Sequence, residues 1–350
     1  MRGAVSRFAV YDSYCADGGP FGRCFIFVVT GACSARQLFE SLGVSSAVVR
    51  RMFSFGQVFD LRSPDKPLGL DASLGPGAKV ALRPRTTHTS HGSVPFPLTV
   101  LYEDPFVLAV EKRAGILVHD DGSDAVTLTS NVQAYLDGCL SDGSSCASNH
   151  APDEGFRIVP QALQRLDVDT TGVVLFSKCE EFQGLFDSLI ASGGAHKSYL
   201  AIVRGEFPRA SCAYSDPIGR DRHDASKMRA CSSGGKPSLT TVERLAVSED
   251  GSRSLLGVTL GTGRRHQIRV HLSHHGFPIV NDPLYGLVED EDGLMLHAFS
   301  ESFVHPVTGE QVDIRTPWPE RFSRWFDEGT VDVPGRDAVR GVGSRGGTLR

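Results

Sequence analysis

The sequence predicts an α+β fold with a mixed sheet rather than a doubly wound one. Three observations lead there. Strand-like and helix-like stretches alternate irregularly, without the regular βαβ rhythm of a parallel sheet. Val173 to Phe176 form a continuous apolar run that reads as a buried strand. Phe182, Leu185, Phe186, Leu189 and Ile190 fall at i, i+3, i+4, i+7 and i+8, the stripe of an amphipathic helix. At 350 residues the chain is long enough for two or three domains and a sizeable core. Its 40% hydrophobic and 22% charged residues are ordinary for a globular protein. It has no apolar run of about 18 residues, so no membrane span is expected. The start, "MRGAVSRFAVYDSYCADGG", lacks the apolar core of a secretory signal. Eight cysteines at irregular spacing, with no CxxC pair, argue against a zinc ribbon or a disulfide framework. They point to reduced thiols in the cytoplasm.

Residues 1–30 are loosely patterned and "ADGGPFG" interrupts them. "SARQLFESLGVSSAVVRRMFSFGQV" predicts two short helices. Gly43 can end the first, and Ser45 or Ser46 can cap the second. Val49, Met52 and Phe53 supply an apolar stripe, with Arg50 and Arg51 directed elsewhere. "LGPGAKVALRP" gives a turn and a strand. Residues 1–86 form a small basic unit, with 11 Lys and Arg against 6 Asp and Glu, while the whole chain carries a formal charge of −5. Residues 87–97, rich in Ser, Thr and Pro, read as a linker. A larger domain spans 98–330. It opens with two strands flanking Glu103 to Pro105 and carries a surface insertion at 137–155. Residues 331–350, rich in Gly and Arg, read as a disordered tail.

The densest chemistry lies in "LQRLDVDTTGVVLFSK", residues 163–178. Arg165, Asp167 and Asp169 stand at the mouth of the buried strand, where an unpaired charge is costly. A tight turn at Thr170-Thr171-Gly172 lets backbone approach a ligand closely at Gly172. The plainer alternative is a turn carboxylate paired with Arg165. The second site is "GTGRRHQIRVHLSHHG", residues 261–276. If helical, it places Arg265 and Arg269 on one face, suited to phosphate or carboxylate. An ordinary polar helix face is the alternative. His271 and His275, four residues apart, have metal-ligand spacing. Without an acidic third ligand or an HExxH pattern, no metal site is expected. Tyr199 sits on the alternating strand "HKSYLAIVRGE", sharing a face with Ala201 and Val203.

Six stretches, in order from about residue 98 to 320, together resemble the RluA-type pseudouridine synthase family. "LYEDPFVLAVEKRAGILVH" resembles the block ending in "KPxGLxVH", and "QRLDVDTTGVVLFSK" is similar to "HRLDxxTSGLLLxAK". "KSYLAIVRGE", "DPIGRDRHDASKMRA" with "GGKPSLTTVERL", "LGTGRRHQIRVHLSHHGFPIVNDPLYG" and "LHAFSESFVHPVTGE" match the remaining blocks. "SARQLFESLGVSSAVVRRMFSFGQV…LGPGAKVALRP" resembles the small RNA-binding domain that often precedes this catalytic domain.

The resemblance implies a pseudouridine synthase fold, with a central mixed, largely antiparallel sheet flanked by helices and a small N-terminal αβ RNA-binding domain. It implies isomerisation of uridine in RNA, ribosomal ahead of transfer RNA, with no cofactor, metal or membrane. Asp167 takes the place of the catalytic aspartate, acting on the ribose of a flipped-out nucleotide. Tyr199 matches the tyrosine that stacks on the base. Arg269 matches the arginine expected to pair with the aspartate. Gln164, Arg165, Thr170, Arg264, Arg265, His266 and Gln267 are the expected substrate contacts, and Arg36, Arg50 and Arg51 the RNA contacts of the N-terminal domain. The chain departs from the pattern at Gln164, Arg113, Thr171 and Asn281, where the family has His, Pro, Ser and Gly. The first two give some support to an RNA-binding or ribosome-assembly protein without catalysis. The retained Asp167 speaks against it.

Overall fold

The computed structural model of the chain describes residues 9–15, 24–84, 96–122, 125–136, 159–331 and 333. The expected insertion at 137–155 lies outside them, as do nearly all of the linker at 87–97 and the tail beyond 331. The chain forms two compact units. The first takes in Met1–Val168, Val173–Ala195 and Phe303–Val312, and the second Asp169–Gly172, His196–Ser302 and Asp313–Arg350.

The first unit begins with β1 (Ala9–Cys15), β2 (Cys24–Val29), β3 (Cys33–Ser34), α1 (Ala35–Ser41), α2 (Ser46–Ser54), β4 (Val58–Asp60), β5 (Ser63–Pro67), β6 (Ser73–Leu74) and β7 (Lys79–Leu82). β1-β2-β7-β4-β5 form an antiparallel sheet. Both predicted helices are present. Ser34 and Gln37 close a capping box on α1, and Ser45, the first of the two candidate caps, caps α2. Gly43, at φ +92°, follows the end of α1 in a conformation that L side chains avoid. β1 and β2 were not foreseen in the loosely patterned start. β2 forms because "CFIFVV" is β-branched and aromatic, with Phe25 and Phe27 driven inward.

The same unit continues with β8 (Thr99–Glu103), β9 (Val107–Lys112), α3 (Leu128–Leu136), β10 (Gln161–Ala162), β11 (Thr171–Ser177) and α4 (Gln183–Ala191). The Asp104 carboxylate builds the β8–β9 turn by accepting the N–H groups of Phe106 and Val107, each at 2.7 Å. Leu108, Val110, Leu128, Val132, Val174 and Phe176 pack into one core. Each contributes about 1.5–3 kcal/mol by leaving water. Lys178 Nζ ties the end of β11 to that turn through Glu103 Oε1 at 2.6 Å and the Asp104 carbonyl at 2.8 Å.

The second unit carries β12 (His196–Arg204), β13 (Ser211–Tyr214), β14 (Ile218–Arg220), β15 (Met228–Ala230), β16 (Thr240–Val247), β17 (Arg253–Leu260), α5 (Gln267–His274), β18 (Leu296–Val304) and β19 (Gln311–Arg315). Its sheet runs β13-β16-β17-β12-β18, with β19 beside β18. β12, β16 and β17 pair antiparallel, whereas the start of β11 pairs parallel with β18. The fold is therefore α+β with a mixed sheet. β12 is central, and Tyr199 through Val203 are buried on both faces, a fuller burial than its alternating pattern suggests.

Candidate active site

Asp167 lies half-buried in the loop between β10 and β11, near the end of the first unit. The peptide that follows it is anchored. The Val168 carbonyl accepts Lys112 Nζ at 2.6 Å and the Gly115 N–H at 2.9 Å. Lys112 is fully buried, and its ammonium also donates to the Arg113 carbonyl at 2.9 Å. A buried lysine is tolerated when its protons meet acceptors. The exposed Arg113, which stands where the family has proline, leaves this turn intact, with Gly115 at φ +78°. Gln164 is half-buried and Arg165 exposed in the bend just before Asp167. Burial, with the Arg165 charge adding to it, pulls the His119 pKa below its usual value.

In the second unit, Asp169 to Gly172 continue the loop into β11. Thr170 is buried, and its hydroxyl has no hydrogen-bond partner among the described residues. Thr171 is held firmly. Its hydroxyl meets His297 Nδ1 at 2.6 Å and accepts Arg321 Nη2 at 2.7 Å, and His297 Nε2 meets Thr316 Oγ1 at 2.7 Å. Burial, reinforced by the Arg321 charge, lowers the His297 pKa to about 3, so the ring is neutral at ordinary pH. At Gly172 a close approach is made by the backbone of Ala298. At φ +113°, a Cβ on this residue would lie 2.1 Å from the Ala298 carbonyl oxygen.

Gly172 pairs with Ala298 on β18, and Ala298 pairs with Tyr199 on β12. Tyr199 therefore sits in the same row of the sheet as Gly172, two strands away, about 9–10 Å by strand spacing. The turn expected at Thr170-Thr171-Gly172 falls earlier, at Val168 and Asp169, because Thr171 and Gly172 are already paired in β11. The β12–β18 register shifts between Ser198 and Tyr199, an irregularity of the kind that re-aims a side chain.

Arg269, on α5, is 2% exposed. Its Nε donates to Asp282 Oδ2 at 2.9 Å and its Nη2 to Asp282 Oδ1 at 2.7 Å, a bidentate fork inside the protein. Its guanidinium also lies 5.3 Å from the centre of the Tyr285 ring. Sequence reasoning named Arg269 but missed Asp282 as a partner, although "NDPLYG" was among the matched blocks. Asn281, which stands where the family has glycine, has φ +60°, a conformation asparagine tolerates better than most residues.

Arg265 and Arg269 do not share a helix face. α5 begins only after His266, whose φ of +57° turns the chain into the helix. Gln267 organises the loop before it. Its Oε1 accepts from Thr262 Oγ1 and the Arg264 N–H, and its Nε2 donates to the Leu239 carbonyl and to Thr240 Oγ1. His266 Nδ1 meets the Tyr285 hydroxyl at 2.8 Å. Arg264 donates to the Pro237 carbonyl and Arg265 to the Ser226 carbonyl.

His271 does not pair with His275. Its nitrogens face Thr240 Oγ1, Ser238 Oγ and the Asp216 carbonyl. Asp216, His274 and His275 form a group of potential metal ligands within 4.8 Å of one another, with both histidines exposed. In the N-terminal region, Arg36 pairs with Asp71 at 3.1 Å and Arg51 with Glu180 at 2.8 Å, while Arg50 is exposed. Among the described residues, no helix is long and apolar enough to cross a membrane.

Comparisons with known proteins converge on one family. Residues 106–274 match the family model described as RNA pseudouridylate synthase. The chain is 31% identical over 226 residues to the uncharacterized RNA pseudouridine synthase YhcT of Bacillus subtilis, covering 63% of this chain and 69% of that protein. It is 33% identical over 258 residues to ribosomal large subunit pseudouridine synthase D of Xanthomonas campestris, covering 68% and 71%. Human RNA pseudouridylate synthase domain containing 1 has a similar fold, with a TM-score of 0.53 at 24% identity over 71% of this chain and 95% of that one.

Proposed function

This chain belongs to the RluA-type family of RNA pseudouridine synthases, and from that premise we propose that it acts on ribosomal RNA with Asp167 as the catalytic carboxylate. The relatives named for the large ribosomal subunit support that choice of RNA. The reaction is an isomerisation. The bond from N1 of the base to C1′ of the ribose breaks, the base rotates, and C5 bonds to C1′. The proton lost from C5 is balanced by the one gained at N1, so no co-reactant is consumed.

Asp167 acts at the ribose while the glycosidic bond is broken, as nucleophile or as base. Tyr199 stacks on the base and helps take the C5 proton. Arg269 keeps negative charge favourable at the site. Stacking in a helix hides the glycosidic bond, so the uridine is flipped out before reaction. Gln164, Arg165, Thr170, Arg264, Arg265, His266 and Gln267 are the further residues assigned to substrate binding in this reading.

The observation that carries this reading is the anchored loop of Asp167. Lys112 and Gly115 clamp the peptide after the carboxylate, and the Thr171–His297–Arg321 lattice fixes the strand that follows. A carboxylate used only to close a turn would not need both supports.

The test is Asp167→Asn, nearly isosteric but neither a nucleophile nor a base. It is expected to abolish pseudouridine formation in single-turnover assays and to leave melting and RNA affinity close to wild type. Near-normal turnover of the variant would remove Asp167 from the chemistry. Mapping pseudouridines in ribosomal RNA from cells with and without the protein identifies the target; an unchanged ribosomal map would overturn the choice of RNA.

A further inference from the structure

A small RNA-binding domain on a Ser/Thr/Pro linker suggests a tethered arm, which raises the local concentration of the catalytic domain near RNA and tolerates many spacings. The side chains argue for a different arrangement. Phe25 of β2 stacks on Phe106, at the start of β9, with ring centres 4.6 Å apart and planes 18° apart. Phe182, just ahead of α4, meets Phe25 at 5.7 Å, Phe27 at 6.1 Å and Phe106 at 5.2 Å. All four rings are 2% exposed or less. They form one aromatic core, half of it from the N-terminal sheet and half from the catalytic part of the same compact unit.

Polar contacts accompany that core. Gln57 Nε2 donates to Glu181 Oε1 at 2.6 Å in a buried setting, and also to the Arg83 carbonyl at 3.0 Å. Arg51 pairs with Glu180 at a half-exposed edge. Gly43 also packs tightly against α4. A Cβ there would lie 2.7 Å from Leu185 Cδ2 of α4. Contacts between domains of one chain are usually small and polar, and relative motion is the default unless the interface is large and apolar. Here separation would put four phenylalanine rings into water and strip Glu181 of a buried hydrogen bond, so the separated state is strongly disfavoured.

We propose that residues 24–84 are a fixed wall of the catalytic unit, and that this chain selects its RNA by the rigid spacing between that wall and Asp167. This rests on the reading of Asp167 as the catalytic carboxylate. Of the three expected RNA arginines, Arg51 is committed to Glu180 and Arg36 to Asp71. The exposed Arg50, with the exposed Phe55 at the end of α2, offers RNA a cation and a stacking face. Because the wall and Asp167 belong to one compact unit, an RNA that contacts both must present its uridine at one set distance.

The test places a protease site between Pro84 and Phe96 in the full chain and cleaves the folded protein. The two fragments are expected to stay together through gel filtration at micromolar concentration, with turnover of the ribosomal substrate within about twofold of the uncut protein. Ten flexible residues inserted at the same place, without cleavage, are expected to leave turnover and the modified position unchanged. Fragments that separate on cleavage, or an insertion that adds modified positions, would overturn the proposal. Phe25→Ala in the cleaved protein is expected to release the N-terminal fragment. If that variant fails to fold, Arg51→Glu replaces it as an edge probe, expected to speed fragment exchange without losing the fold. If uncut wild type does not modify ribosomal RNA at all, the functional reading fails, while co-elution still decides the docking.

Discussion

Replacing Arg269 tests a structural and a chemical role in one experiment. Arg269→Ala removes two charge-assisted hydrogen bonds, at 2.9 and 2.7 Å, from Asp282, which is 0% exposed. Breaking a buried ion pair from one side typically costs about 3–5 kcal/mol, because the surviving charge is left without its partner. Asp282 Oδ1 keeps two backbone donors, the N–H groups of Leu284 at 2.9 Å and Tyr285 at 3.0 Å. That places the expected loss near the lower end, about 3 kcal/mol. Arg269→Lys keeps the charge but not the fork, so about 1–2 kcal/mol is expected. Combining Arg269→Met with Asp282→Asn removes the stranded charge while keeping an oxygen for the two N–H groups. The pair should then be about 1–2 kcal/mol more stable than the sum of its single changes implies. Urea unfolding at neutral pH measures Arg269→Ala, Arg269→Lys, the double variant and its two single changes, and a single-turnover assay under conditions where each variant is folded measures the chemistry. The Lys variant is expected to be partly active and the Ala variant nearly inactive. A wild-type denaturation midpoint for Arg269→Ala would refute the energetic argument. Wild-type turnover in the folded Ala variant would remove this arginine from the mechanism.

Three further outcomes are expected. His297 titrates in the folded state near pH 3 instead of near 6.5, so the unfolded chain gains a proton first as pH falls. Stability should therefore fall progressively from about pH 6.5 towards 3, by at most about 4–5 kcal/mol from this group. Urea midpoints at several pH values should show a shallower slope for His297→Asn than for wild type; equal slopes would refute the assignment. Gly172→Ala should lose more than about 3 kcal/mol, because its Cβ would meet backbone at 2.1 Å and φ is +113°; a normally folded Ala variant would contradict the β11–β18 geometry. Lys112→Met should leave the Val168 carbonyl with only the Gly115 N–H, costing about 1–3 kcal/mol and lowering kcat more than it changes KM; an unchanged kcat would show that the anchor does not position Asp167.

Much of the local structure was written in short-range patterns. The buried run Val173 to Phe176, the stripe from Phe182 to Ile190, the capped helices at 35–41 and 46–54 and the turn at Glu103 to Pro105 were all legible, because each depends on neighbours within a few residues. The family was legible too, since six blocks in order leave little room for coincidence. Pairings between distant segments were not legible. Nothing near Arg269 in the chain announces Asp282, thirteen residues on, as the acceptor of its fork. Nor does anything near Thr171 announce His297 and Arg321. The close approach read at Gly172 is made by the Ala298 backbone, a strand from much later in the chain. The charge and Ser/Thr/Pro content of residues 1–97 describe composition, and composition cannot say whether Phe25 and Phe27 close their own core or share one with Phe106 and Phe182. Local propensity acts over a turn or a strand, whereas burial and charge pairing are settled only when the whole chain has closed around them.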